Sequence, residues 1–275
     1  MIELPEAYIL AQQIKETLMG KRIMNVTAAK SPHKFAWYHG DPQMYHNLLS
    51  GKTIDGAVNY GGMVNIIARD CNMVFGDGVS LVFHDIGEER PKKHQLLVEF
   101  EDFSALSASV QMYGGLWCFK DGEFDNQYYK IAKEKPSPLT DKFDREYFNK
   151  IIESPGAEKL SAKALLATEQ RIPGLGNGVL QDILYNSGIH PKRKVSSLTQ
   201  EEKITLFDSI KGTLIEMVSQ GGRNTEKDVF DCLGGYKTKA SKNTVDKPCP
   251  KCGNNIVKEA YMGGSVYYCP GCQKK

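Results

Sequence analysis

The sequence contains no long uninterrupted apolar run, which argues against a membrane-spanning helix. The opening residues MIELPEAYIL lack the basic start of a secretory signal, so we expect a cytoplasmic protein. The composition is otherwise ordinary for a soluble globular protein, with 41% hydrophobic and 25% charged residues. At 275 residues the chain is long enough for two domains with separate cores.

Strong net charge is also missing, since the formal charge is only +2 at pH 7. The total hides an asymmetry between the two halves of the chain. Residues 1–135 hold 14 Lys and Arg against 17 Asp and Glu, a net charge of −3. Residues 136–275 hold 21 against 16, a net charge of +5, which suits a polyanionic partner or a solvated surface.

The histidines of the first half show no metal-ligand spacing, and we expect each of them to be structural. They are His33, His39, His46, His84 and His94.

Four cysteines near the C-terminus are the strongest signal in the sequence. Cys249 and Cys252 form one C-x2-C pair, and Cys269 and Cys272 form a second after sixteen intervening residues. Two such pairs supply four thiolates that can surround one zinc ion as a tetrahedron. A site closed by four cysteines leaves no position for a reacting water, so we expect one structural zinc per chain.

The residues between the two pairs predict a β-hairpin, with strands at Asn255–Lys258 and Ser265–Tyr268. Two disulfides are the alternative to a metal site. The missing secretory signal and three further cysteines elsewhere favour the metal.

The residue pattern of the rest of the chain changes twice. Residues 5–19 predict an amphipathic helix, and residues 21–119 read as short β-runs separated by Gly, Asn and Asp, as in an antiparallel sandwich or barrel. The runs are Lys21–Ala28, Thr53–Val58, Met63–Ile67, Val79–Phe83, Gln95–Phe100 and Ala105–Val110.

Prolines and charges between residues 130 and 145 indicate a linker, and the pattern after it is helical. We therefore predict an α+β protein with a first domain at 1–133, a linker at 134–145, a helical domain at 146–245 and a zinc hairpin at 246–275. The predicted helices of the second domain are Asp144–Ile152, Ser161–Thr168, Val179–Ser187 and Gln200–Ser219.

The turn Gly174-Leu-Gly-Asn177 precedes the third of these helices. Glycines allow close approach of another backbone, and amides at a helix N-terminus can bind phosphate. A tight connection between two helices explains the same residues equally well. Lys163 and the basic run His190–Lys194 add positive charge in the same part of the sequence.

Taken together, the opening MIELPE, the turn PGLGNGVLQDILYNSGIHP and the ending CPGCQ resemble the formamidopyrimidine-DNA glycosylase/endonuclease VIII family. The resemblance covers the whole chain in the family's order. It implies an N-terminal helix with an antiparallel β-sandwich, a helix–two-turn–helix DNA-binding domain and a zinc hairpin. It also implies DNA glycosylase and abasic-site (AP) lyase activity in base-excision repair, in which a flipped-out nucleotide is attacked by an N-terminal proline amine.

Three positions depart from the family's pattern. Ile2 stands where the family has its nucleophilic proline, Gly62 where it has a lysine, and Gly264 where it has the phosphate-binding arginine of the hairpin. Glu3 matches the family's proton-handling carboxylate. The primary amine of Met1 is a candidate replacement nucleophile, because Schiff-base chemistry does not require proline.

What the chain keeps of the family's pattern is mostly the DNA-binding frame. The resemblance implies phosphate contacts for Lys163 and Asn177, and a wedge into the base stack for Gln111, Met112 and Tyr113. Core packing at the end of a strand is the alternative for Met112 and Tyr113.

Residues 221–241 lie where the family has a mobile lesion-recognition loop, and glycine pairs suit a segment that orders on binding.

Three functions remain open from the sequence. The first is a DNA repair protein that binds damaged or abasic double-stranded DNA, with glycosylase and lyase activity weak, altered or lost. The second is a non-catalytic protein that recognises DNA or RNA on the glycosylase fold. The third is an enzyme that acts on another modified nucleic acid through an unidentified nucleophile. We expect a cytoplasmic, nucleoid-associated monomer with no membrane partner.

Overall fold

The computed structural model describes residues 1–275. Its helices are α1 Leu4–Leu18, α2 Tyr45–Leu49, α3 Gln127–Glu134, α4 Arg145–Ile152, α5 Ala162–Ala167, α6 Val179–Ser187 and α7 Gln200–Ser219. Its strands are β1 Ile23–Ala28, β2 Ala36–Tyr38, β3 Ile54–Tyr60, β4 Met63–Ala68, β5 Cys71–His84, β6 Leu96–Phe100, β7 Ala105–Lys120, β8 Val257–Tyr261 and β9 Gly264–Tyr268. None of the helices combines the length and hydrophobicity that crossing a membrane requires.

Helix α1 confirms the N-terminal helix expected from the sequence. Pro5 lies in its first turn, where a missing N–H costs nothing, and Glu3 is its N-cap residue. The buried face carries Leu10, Ile14 and Leu18, which pack into the core of the sheet domain.

Strands β1 and β3–β7 form a mainly antiparallel sheet in the order β1-β6-β7-β5-β4-β3, as expected for an antiparallel domain. The short strand β2 pairs in parallel with β7, which the sequence did not indicate. Strands β5 and β7, of 14 and 16 residues, are far longer than the runs predicted there. All the strands of the first unit are hydrogen-bonded in a single sheet.

The long β5–β7 pair is interrupted by a wide bulge. Its register goes from Asp77 opposite Gly114 directly to Val79 opposite Val110, so three residues of β7 face only Gly78. A Cβ atom at Gly78 would lie 2.5 Å from a backbone oxygen in the bulge, so this position requires glycine.

Helix α3 ends at Glu134, which is the first residue of the predicted linker. The linker therefore begins after the helix, at residue 135.

The chain divides into two compact units with discontinuous boundaries. The first unit is Met1–Lys130 with Gly221–Gly234, and the second is Ile131–Gln220 with Gly235–Lys275. The sequence had placed residues 221–234 in the helical domain. They join the first unit because Val229 is buried in its core and Asp228 accepts a 2.8 Å hydrogen bond from Gln13 Nε2.

In the second unit, the local helix signals correspond closely to the structure. Helices α6 and α7 have the predicted bounds. Thr199 Oγ1 accepts a hydrogen bond from Glu202 N at 3.2 Å, and Thr199 N donates to the Glu202 carboxylate at 2.9 Å, which fixes the start of α7.

The predicted C-terminal hairpin forms from β8 and β9, with a two-residue turn at Met262 and Gly263. Both turn residues have positive φ, as a tight hairpin turn requires. The first strand starts later than predicted because Ile256 pairs instead with the preceding segment, donating from its N to Lys247 O at 2.9 Å.

Candidate functional sites

The nitrogen of Ile2 is committed to the sheet of the first unit. Ile2 N donates a 2.6 Å hydrogen bond to Asp77 O on β5, and the Ile2 side chain is only 7% exposed within the core. This nitrogen is an amide whose hydrogen bond holds the start of the chain beside the bulge.

The amino group of Met1 forms an ion pair with the carboxylate of Glu226. Both residues line a cavity of about 230 Å³ in the first unit, together with Gln111 from the bulge and Thr225. The cavity therefore brings together a primary amine, a carboxylate and an amide side chain. Glu226 was not identified from the sequence, where it appeared only as one charge in a glycine-flanked loop.

A buried charge cluster lies directly behind this cavity. Arg223 is 2% exposed and binds Glu6 with two hydrogen bonds, from Nε at 2.8 Å and from Nη2 at 2.7 Å. Its Nη1 atom lies 3.6 Å from the Glu3 carboxylate. Burial by itself would lower the pKa of Arg223, but the carboxylates of Glu3, Glu6 and Glu226 outweigh it and raise that pKa.

Glu3, the predicted catalytic carboxylate, is thus buried beside a permanent positive charge. Near the cluster, burial raises the pKa of the Asp77 carboxyl. Burial, together with the charges of Asp77 and Glu3, also raises the pKa of Tyr113.

The predicted wedge residues are the three residues of the bulge in β7. The structure holds them within a strand that has lost its partner at this point. Gln111 is exposed, Met112 is 66% exposed, and Tyr113 is half-buried. Core packing, the alternative for these side chains, is therefore wrong for Met112.

In the second unit, Lys163, Asn177 and Gly264 lie together. A Cβ atom at Gly264 would lie 3.7 Å from both Lys163 Nζ and Asn177 Nδ2. Lys163 is 5% exposed and donates from Nζ to Tyr261 O at 2.7 Å, and burial lowers its pKa. Asn177 Nδ2 donates to Ser265 O at 3.0 Å. Both side chains hold the backbone of the hairpin.

Gln181 on α6 completes this arrangement and was missed in the sequence. Its Nε2 atom donates to Ser265 O at 3.1 Å, and its Oε1 atom accepts from Tyr267 N at 3.0 Å. Asn177, at the end of the glycine-rich turn, and Gln181 therefore both bond to strand β9, and the only sequence signal for Gln181 was its place one turn after Asn177.

The four cysteines form a single cluster in the second unit. Their Sγ atoms all lie within 4.8 Å of one another, and none of the cysteines forms a disulfide. The Sγ–Sγ distance is 3.7 Å for Cys249–Cys272 and 3.3 Å for Cys252–Cys269. Zinc–sulfur bonds of about 2.3 Å in a tetrahedron place sulfur atoms about 3.8 Å apart, so the donor set fits that ion.

The surroundings also favour a thiolate at Cys249. The Tyr185 hydroxyl lies 3.1 Å from Cys249 Sγ. Burial raises the pKa of Cys249, but hydrogen bonds from Tyr185 and from the backbone amides of Lys251 and Cys252 outweigh it and lower the pKa to about 6.

Comparisons with known proteins agree on one family. Residues 135–228 match the family model described as the formamidopyrimidine-DNA glycosylase H2TH domain. The formamidopyrimidine-DNA glycosylase of Bacillus licheniformis is 28% identical over 282 residues, which cover 100% of both chains. That of Prochlorococcus marinus is 34% identical over 171 residues, covering 60% of this chain and 57% of the relative.

The fold has a close counterpart among solved structures. The Lactococcus lactis Fpg in complex with abasic-site DNA superposes with a TM-score of 0.83 at 22% identity, covering 99% of this chain and 100% of the other. At this level of identity, the superposition establishes the shared fold.

Proposed function

This chain belongs to the formamidopyrimidine-DNA glycosylase/endonuclease VIII family, and on that premise we propose that it binds damaged or abasic double-stranded DNA with weak or lost excision activity. The state of Ile2 carries the second part of this proposal. The family's nucleophile position is occupied by an amide nitrogen that donates to Asp77 O at 2.6 Å, and its side chain is buried. An amide nitrogen cannot form a Schiff base, so the Ile2 nitrogen is unreactive in the chain that retains Met1.

The magnitude of the expected loss is large. Removing a single electrostatic donor from a transition state typically lowers the rate by about a hundred- to a thousand-fold. Gly62 and Gly264 replace two of the family's cationic side chains, and Ile2 removes the nucleophile as well. The combined effect places excision far below that of an active repair glycosylase.

The DNA-binding role rests on what remains in each unit. In the first, Gln111, Met112 and Tyr113 project from a bulge, as a wedge into a base stack requires. In the second, Lys163 and Asn177 hold the hairpin, and we propose that they also supply positive charge and a hydrogen-bond donor to a phosphate.

We also propose that Cys249, Cys252, Cys269 and Cys272 hold one structural zinc ion. With four thiolate ligands the ion has no open position, so it stabilises the hairpin and takes no part in chemistry.

A relocated lyase activity is the second candidate, and one observation favours it. The Met1 amine is paired with Glu226 at the edge of a cavity of about 230 Å³. A carboxylate in that place can accept the proton that a primary amine must lose before it attacks an abasic sugar.

Borohydride trapping with a duplex that contains one abasic site distinguishes the two candidates. We expect no covalent adduct, together with tighter binding to the abasic duplex than to the matched intact duplex. A formamidopyrimidine-DNA glycosylase with the family's N-terminal proline provides the positive control for trapping.

An adduct that maps to Met1 and disappears in Glu226→Gln would contradict loss of catalysis and establish the lyase. Glu3→Gln is the matched comparison for the family's own carboxylate. Equal affinity for abasic and intact duplexes would refute damage recognition. Tighter binding to an RNA of the same sequence would show that RNA is the preferred partner.

Restoring the family's hairpin arginine tests the DNA contact of the second unit. We expect Gly264→Arg to strengthen duplex binding and to steepen the dependence of log affinity on log salt concentration by about one unit, because one more phosphate is neutralised. The added Cβ atom would meet its neighbours at 3.7 Å, an ordinary contact distance. Gly264→Ala is the control, since it adds the same Cβ atom without charge, and an unchanged salt slope in Gly264→Arg would argue against a phosphate here.

A further inference from the structure

Four large side chains form an exposed surface on the first unit. Phe35 and Trp37 are 47% and 44% exposed, and Met112 is 66% exposed. The ring of Trp37 lies 5.7 Å from that of Tyr113, measured between centroids. We call Phe35, Trp37, Met112 and Tyr113 the aromatic platform. Large apolar side chains grouped at a surface usually mark a binding site.

The sheet holds the platform rigidly in this position. Trp37 lies on β2 opposite Gly115 of β7, and its neighbour Tyr38 points inward to pack against Tyr45. The ring of Trp117 occupies the space that a side chain at Gly115 would need, since a Cβ atom there would lie 2.1 Å from it, so this pair requires glycine on β7. The pairing of β2 with β7 therefore fixes the position of Trp37 in the platform.

Exposed lysines lie on the segment that leads into the platform and on a second segment bonded to it. The two segments that contain these lysines are joined by two hydrogen bonds. Ser31 N donates to His94 O at 3.2 Å, and His94 N donates to Ser31 Oγ at 3.2 Å. Lys34 Nζ lies 5.4 Å from the centroid of the Phe35 ring. Four exposed lysines of these segments take part in no ion pair of the structure: Lys30, Lys34, Lys92 and Lys93.

We propose that the aromatic platform binds an unpaired, single-stranded stretch of DNA, with bases stacked on Phe35 and Trp37 and phosphates contacted by the four lysines. Rings beside unpaired cations are the combination that single-stranded nucleic acids require, since every base has a face that can stack. An apolar protein surface would cover the rings but would leave the lysines without partners.

The platform extends beyond the wedge of the bulge. Met112 and Tyr113 can fill the gap left by one displaced nucleotide, whereas Trp37 on β2 and Phe35 directly before that strand add stacking surface for further bases. The inference rests on the proposed function only in taking DNA as the polymer, and it does not depend on catalysis.

The fluorescence of Trp37 can be used to measure binding at the platform. The chain has two tryptophans, and the other, Trp117, is 9% exposed. We expect an oligothymidylate of about twelve nucleotides, a length that one single-strand binding surface spans, to quench the fluorescence of Trp37. Loss of one stacking ring in Trp37→Ala should weaken the affinity for this oligonucleotide about ten-fold.

Three further variants keep the test decisive. Trp37→Phe should retain most of the affinity, and Tyr128→Ala, which removes a 58% exposed ring outside the platform, should retain all of it. The double variant Lys92→Gln with Lys93→Gln should lower the affinity and flatten its salt dependence by about 1.4 units, without touching any ring. If Trp37→Ala folds poorly, the double lysine variant still tests the binding of single-stranded DNA.

The proposal is overturned by the absence of quenching in the wild-type protein, or by equal affinities of the wild type, Trp37→Ala and the double lysine variant. Tighter binding to oligouridylate than to oligothymidylate would overturn the assignment to DNA. An abasic duplex measured in parallel separates the two proposals. Binding to the abasic duplex without binding to oligothymidylate would contradict only the proposal for the platform. Binding to oligothymidylate without preference for the abasic duplex would contradict only the proposed function.

Discussion

Replacing Cys269 with serine should release the metal and unfold the C-terminal hairpin. Cys269 is fully buried, and its Sγ lies 3.3 Å from that of Cys252. Structural zinc contributes about 10–16 kcal/mol of apparent binding free energy in small zinc-bound peptides, far more than a five-residue strand pair supplies by itself. We expect elemental analysis to give one zinc per wild-type chain and much less in Cys269→Ser, with proteolysis appearing between residues 246 and 275.

Cys232→Ser is the matched control, because Cys232 is an exposed free thiol in the first unit. It should keep its zinc and its resistance to protease. A metal-free wild-type protein with an intact hairpin would contradict the zinc proposal, as would full zinc content in Cys269→Ser. Treatment of the wild type with a chelator should reproduce the effect of the Cys269 variant.

The second large effect is expected at Arg223. Replacing it with methionine would leave Glu3 and Glu6 buried without their shared positive charge. Removing one partner of a buried ion pair typically costs about 3–5 kcal/mol, because the remaining charge is uncompensated. We expect Arg223→Met to lower the free energy of unfolding by that amount, measured by denaturant titration.

Lys227→Met provides the comparison at the surface. Lys227 pairs with Asp231 in the same loop, but both side chains are about half exposed, so its loss should change stability little. The double variant Arg223→Met with Glu6→Met should recover part of the loss, since it removes one of the stranded carboxylates. Equal stability of Arg223→Met and the wild type would show that the cluster does not hold residues 221–234 to the first unit.

Much of the fold follows from local sequence signals. The spacing of Cys249, Cys252, Cys269 and Cys272 predicted a single metal cluster, and the structure brings their sulfur atoms together. The capping residue Thr199 predicted the first residue of α7, because side-chain caps act within one turn of a helix.

The residues of the candidate sites were predictable only in part, because local sequence signals do not reveal contacts between distant segments. The resemblance pointed to Lys163 and Asn177, and the structure places both beside Gly264 of the C-terminal hairpin. It could not identify Gln181 or Glu226, because both act through contacts with residues that are distant in the sequence.

The sequence by itself predicted the family, the order of the elements and the cluster of four cysteines, since each depends on residue identity at close spacing. Only the tertiary structure decided that Arg223 binds Glu6 across 217 residues, that β2 joins β7 in parallel, and that Gln111 to Tyr113 form a bulge opposite Gly78. Such pairings depend on which segments meet in the folded chain. Local periodicity determines which face of a strand is apolar but not which strand or loop packs against it.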